Sequence, residues 1–123
     1  MMKWTLWILM ATLIFAACGG ETTAEDGLLG ADLFSEMVVG GKAGCTSCHS
    51  VEPGVGGVGP SLSGIGAAAG SRVAGESAAD YLRKSIVDPE AYIVDGYNNG
   101  VMPSGWDLSE AQIDSLVDYL LDI

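Results

Sequence analysis

Cys45-Thr46-Ser47-Cys48-His49 is the stretch on which the reading of the whole chain turns. It places two thiols two residues apart, with the only histidine of the chain directly after the second. A redox dithiol uses the same cysteine spacing, but it sits beside a βαβ unit and has no need of the histidine. Structural zinc takes four ligands, and here the set is short: Cys18 stands across a linker and there is no second histidine. The reading that uses all three residues is covalent attachment of one haem c. The two-residue spacer lets both thiols add to vinyl groups on one edge of the porphyrin, and His49 is then placed to ligate the iron.

A second axial ligand has to come from elsewhere in the chain. Downstream of residue 17 there are two methionines, Met37 and Met102. Met37 precedes the motif on a predicted first helix, on the wrong side to cross a haem, and packing is the role expected of it. Met102 lies in V101-M102-P103, after N98-N99-G100 and about fifty residues downstream of the motif, enough chain to pass round a macrocycle. Pro103 holds that backbone out of a helix. His49 and Met102 are therefore the expected metal ligands.

Working outward, Leu28 to Val39 reads as a helix with Leu29, Leu33 and Phe34 on one face, stopped by Gly40-Gly41. Seven glycines and two prolines between Pro53 and Gly70 argue for a loop wrapped closely on something flat. Ser77 can cap a helix through Val87, with Asp80 at the capping-box position and Pro89 beyond its end. Ser109 caps the last helix, with Gln112 three residues on, and Ile113, Leu116, Val117 and Leu120 follow at i, i+3, i+4 and i+7. Strand-like alternation is lacking, so the expected fold is all-α, with long loops that need a cofactor to pack against. G54-V55-G56-G57-V58-G59 satisfies the dinucleotide fingerprint, but no strand pattern precedes it and Pro60 follows where a helix should open.

From about Gly30 to Leu121 the chain resembles a class I cytochrome c. G30-x-x-x-F34 matches that family's first-helix pattern, G59-P60-S61-L62 its loop after the haem motif, and V117-D118-Y119-L120 its closing helix. The resemblance implies three to five helices and Gly-rich loops around one haem, and electron transfer rather than catalysis. It implies that the Pro60 carbonyl accepts a hydrogen bond from His49, and that Gly30 and Phe34 pack against the terminal helix near Tyr119. Arg72, Tyr92, Asn98 and Trp106 become candidates for holding the propionates or the Met102 loop. D88-P89-E90-A91-Y92 and G96 to P103 further resemble cytochrome domains of bacterial respiratory membrane complexes, among them the monohaem subunit of alternative complex III. Either a fixed subunit or an independent shuttle fits. The alternative from another class is a haem enzyme or gas sensor whose Met102 detaches.

The N-terminal region adds an expectation of export. Residues 1–17 read as a signal peptide: Lys3 supplies the positive end, and Trp4 to Ala17 are interrupted only by Thr5 and Thr12. That run is shorter than the roughly 20 residues of a spanning helix. A16-A17-C18 resembles the lipobox of bacterial lipoproteins, which implies a diacylated Cys18. The other possibility is an ordinary signal with Cys18 a free thiol, although Phe15 spoils the A-x-A pattern that cleavage there would use. Residues 18–27 then form a lipid-anchored linker and residues 28–123 the cytochrome domain, on the extracytoplasmic or periplasmic face of a membrane. Without Lys3, only Lys42, Arg72, Arg83 and Lys84 stand against 16 acidic residues. Such a charge excludes nucleic-acid binding and suits redox partners with a basic docking face.

Overall fold

A computed structural model describes residues 29–123. The expected signal peptide, linker and lipid-bearing Cys18 lie outside the described residues. Four α-helices make the frame: α1 (Gly30–Ser35), α2 (Ile65–Ala69), α3 (Ala78–Val87) and α4 (Glu110–Asp122). Two single turns of 3-10 helix, Cys45–Ser47 and Pro89–Ala91, complete the helical elements among the described residues. No described helix is long and apolar enough to cross a membrane.

Helix α4 forms because its ends and its faces agree. The Ser109 hydroxyl accepts the Gln112 N–H at 3.2 Å while the Gln112 side chain accepts the Ser109 N–H at 2.9 Å, a reciprocal capping box. Ile113, Leu116, Val117 and Leu120 are all buried, as their spacing predicts. Each such side chain contributes roughly 1.5–3 kcal/mol on leaving water. Helix α3 starts at the Ser77 cap and buries Tyr81, Leu82 and Ile86. Its Asp80 carboxylate takes the Ser77 hydroxyl at 2.6 Å rather than the Ser77 N–H, so the box there is not reciprocal. Arg83 clamps α3 to the start of α4 through Glu110 at 2.7 Å and through Asp114.

Because α4 touches the other three helices, it is the spine of the core. Two glycines allow that closeness. A methyl group on Gly30 would lie 1.9 Å from the Ser115 carbonyl oxygen, and one on Gly66 would lie 2.0 Å from that of Leu121. Phe34 and Tyr119 pack with ring centroids 5.3 Å apart beside the first crossing. Gly30→Ala should consequently force α1 off α4 and cost about 1–3 kcal/mol. For a domain of this size that is roughly 4–8 °C in Tm per kcal/mol. Thermal unfolding followed by circular dichroism checks it, and an unchanged Tm would show that the crossing tolerates the methyl.

The chain departs from the expected all-helical pattern after α1. The helix closes at Ser35, where the Glu36 N–H is shared between the Asp32 and Leu33 carbonyls, and does not run on to Val39. Val38-Val39 and Lys42-Ala43 instead pair as a two-stranded antiparallel hairpin. Gly40 and Gly41 have φ of 49° and 73°, the left-handed pair that a tight two-residue hairpin turn demands. The same Gly-Gly that reads as a helix stop is thus a hairpin turn, and the β-branched valines before it favour the strand. Met37 is accordingly not on a helix, and it is 83% exposed. The Gly-rich region also holds one short helix, α2, where a loop was expected.

Candidate cofactor site

The motif is strapped down before any ligand is considered. The Gly44 N–H donates to the Met37 carbonyl at 2.8 Å, hanging the motif from the hairpin, and the His49 N–H donates to the Cys45 carbonyl at 2.9 Å. Following residues double back over it: the Gly59 N–H donates to the Cys48 carbonyl at 2.9 Å and the Leu62 N–H to the Ser50 carbonyl at 2.8 Å. Gly59 lies flat against the imidazole, where a Cβ would come within 2.5 Å of Cε1. His49 Nδ1 is 2.8 Å from the Pro60 carbonyl oxygen. A carbonyl can only accept, so Nδ1 carries the proton and Nε2 is left with its lone pair free to bind a metal.

Cys45, Cys48, His49, Pro60 and Met102 all border one cleft. Phe34, Leu82, Ile86, Leu116 and Leu120 bring the helical core to it, and the segment from Tyr92 to Pro103 adds a further side. Val39 belongs to it as well, and the Asp107 N–H donates to the Gly40 carbonyl at 3.2 Å, so the hairpin tip also fixes where Trp106 stands. The cleft offers about 1350 Å³ between protein atoms, counted to its open mouth. Met37 is not among the residues that line it.

Arg72, Tyr92, Asn98 and Trp106, the four candidates for propionate or loop contacts, all reach this cleft. Among the described residues Arg72 is the one permanently charged side chain lining it, and no carboxylate does. Arg72 Nε and Trp106 Nε1 are buried donors without a hydrogen-bond partner among the described residues. Each orphaned donor costs about 1–3 kcal/mol. Two unpaired donors in a mostly apolar cleft fit a large flat ligand that is greasy over most of its area and anionic at one edge, as a porphyrin with its propionates is. Burial pushes the Cys45 thiol up, a backbone hydrogen bond opposes this in part, and neighbouring Cys48 adds to the rise. A redox dithiol has the reverse, an attacking thiol held low. Among the described residues no three His, Cys, Asp or Glu side chains converge on a metal site.

Residues 29–123 match the family model for cytochrome c. The chain belongs to the cytochrome c family. Comparison with curated proteins and with solved structures found no match. The four helices and wrapping loops are those of a class I cytochrome c, as the resemblance implied. This cytochrome therefore has haem c, with its iron, as a covalent cofactor, and Cys45 and Cys48 are the pair that fits the attachment. Its activity is haem-based electron transfer, with redox proteins as partners. Sequence reasoning did not single out Tyr81, Tyr97, Ile93 or Val94, all of which line the cleft of the cytochrome. Tyr81 was hidden by its helix, where it reads as core. It stands edge-on to Tyr92 at 5.7 Å. Ile93-Val94 did carry a signal, an apolar pair in a segment with no helical period.

Proposed function

We propose that this cytochrome is a one-electron carrier with His49 and Met102 as axial ligands, tethered to the outer face of a bacterial membrane by a diacylated Cys18. The observation that carries the ligand assignment is the 2.8 Å contact between His49 Nδ1 and the Pro60 carbonyl. It orients the imidazole and fixes its tautomer, while Met102 reaches the same cleft from a loop. When bound, haem c supplies a one-electron couple at its iron. Everything else falls to the chain. Cys45 and Cys48 would hold the ring by thioether links, and His49 and Met102 would be the ligands of its iron. Arg72 and Trp106 would donate to the propionates, and the apolar residues of the cleft would exclude water. A thioether favours the ferrous state, so the potential is raised. The ferric holoprotein should show the weak long-wavelength band that marks iron–methionine bonding, and a spectrum without it would refute the ligand pair.

The acidic balance supports a partner with a basic docking face. Two acyl chains on Cys18 meet the requirement for stable anchoring, since one chain binds only marginally. The linker from Gly19 to Gly27 would then keep the haem near its partners and raise their effective concentration. Cys18→Ser should release a spectrally normal cytochrome into the soluble exported fraction, or leave the precursor unprocessed. Mass spectrometry of the wild-type N-terminus is the direct check. A mature chain beginning elsewhere, or at an unmodified Cys18, would end the anchoring proposal and leave the haem assignment intact.

A further inference from the structure

Residues 98–105 carry Met102, yet among the described residues one hydrogen bond ties this segment to another part of the chain. The Glu90 Oε1 accepts the Gly100 N–H at 2.7 Å. Gly100 has φ of 72°, so the chain reverses there, two residues before Met102. Glu90 is itself rigidly based. It sits in the Pro89–Ala91 turn, whose Ala91 N–H donates to the Asp88 carbonyl at 3.0 Å, and the Asp88 N–H donates to the Lys84 carbonyl of α3 at 2.7 Å. Pro89 is buried and lines the cleft. Hydrogen bonds thus tie the turn to α3, and the exposed Glu90 carboxylate ties the turn to the Met102 loop.

From this geometry we infer that Glu90 is a positioning residue, which holds the Met102 loop closed and so sets how readily Met102 gives up its place to another ligand. The inference rests on the His49/Met102 reading above. A loop held by one such bond opens more often when the acceptor is removed, and an incoming ligand then binds in proportion to the open fraction. Removing an acceptor of this kind should tighten binding of an added ligand by roughly three- to tenfold.

The test is imidazole titration of the ferric holoprotein, followed by loss of the long-wavelength iron–methionine band. Glu90→Ala is expected to bind imidazole about three- to tenfold more tightly than the wild type. Glu90→Gln keeps a carbonyl oxygen that can accept from Gly100 and should restore most of the wild-type affinity, which a purely electrostatic role would not allow. Arg83→Ala cuts the α3–α4 clamp, whose partners are Glu110 and Asp114 and not the loop, and should lower Tm without changing imidazole affinity. Equal affinities for Glu90→Ala and wild type, no rescue by glutamine, or an equal gain from Arg83→Ala would each overturn the inference. Met102→Ala separates the two readings: if it leaves the band unchanged, the ligand assignment fails and the Glu90 inference with it. If it abolishes the band while Glu90→Ala matches the wild type, only the Glu90 inference falls.

Discussion

The Cys45→Ala, Cys48→Ala double variant is expected to carry no covalent haem and to fail to fold. The loss should be all-or-none because the cleft is the meeting place of nearly every element. Leu82 and Ile86 of α3, Leu116 and Leu120 of α4, Phe34 of α1 and Ile65 of α2 all border it. Without the ring these side chains face a void, and the loops from Pro53 to Ser63 and from Tyr92 to Trp106 have little regular structure of their own. In a domain this small, cofactor binding energy is folding energy. Each single variant keeps one thioether and should retain part of the haem at lowered stability. Denaturing gels stained for haem give the readout. A covalently stained band of normal intensity from the double variant would overturn the attachment site.

Met102→Ala ranks next in expected effect. Removal of the thioether should open the sixth position, lower the reduction potential and raise affinity for cyanide or carbon monoxide by more than about tenfold, the equivalent of roughly 1.4 kcal/mol of lost competition. Met37→Ala is the matched control. Met37 is exposed just before the hairpin and does not line the cleft, so its loss should change none of these. Absorbance titration of both variants distinguishes them, and opening of the iron by Met37→Ala but not by Met102→Ala would reverse the ligand choice.

How much of this could be read from the chain alone depended on how local the signal was. Helices α3 and α4 are long enough for caps and periodicity to agree, and both begin at the serines that the sequence marks. The attachment motif is five consecutive residues, and it needs no tertiary information. The end of α1 was not legible, because Gly-Gly stops a helix and turns a hairpin with the same left-handed conformations. Two-residue strands are too short to show alternation. Helix α2 has only five residues, Ile65–Ala69, in a glycine-rich stretch, and is held by α3 and α4 rather than by its own propensity. The packing role of Gly59 against His49, and that of Glu90 on the Met102 loop, depend on residues 10 apart in the chain meeting in space. Single-sequence periodicity cannot report such meetings.

Every role assigned to these residues depends on the covalent bond between this chain and its haem. The most direct measurement is alkylation of the denatured protein with iodoacetamide, followed by proteolysis and mass spectrometry of the peptide that contains Cys45 to His49. The predicted result is a peptide heavier by one haem, with neither cysteine alkylated. A peptide of unmodified mass with both Cys45 and Cys48 alkylated would contradict it.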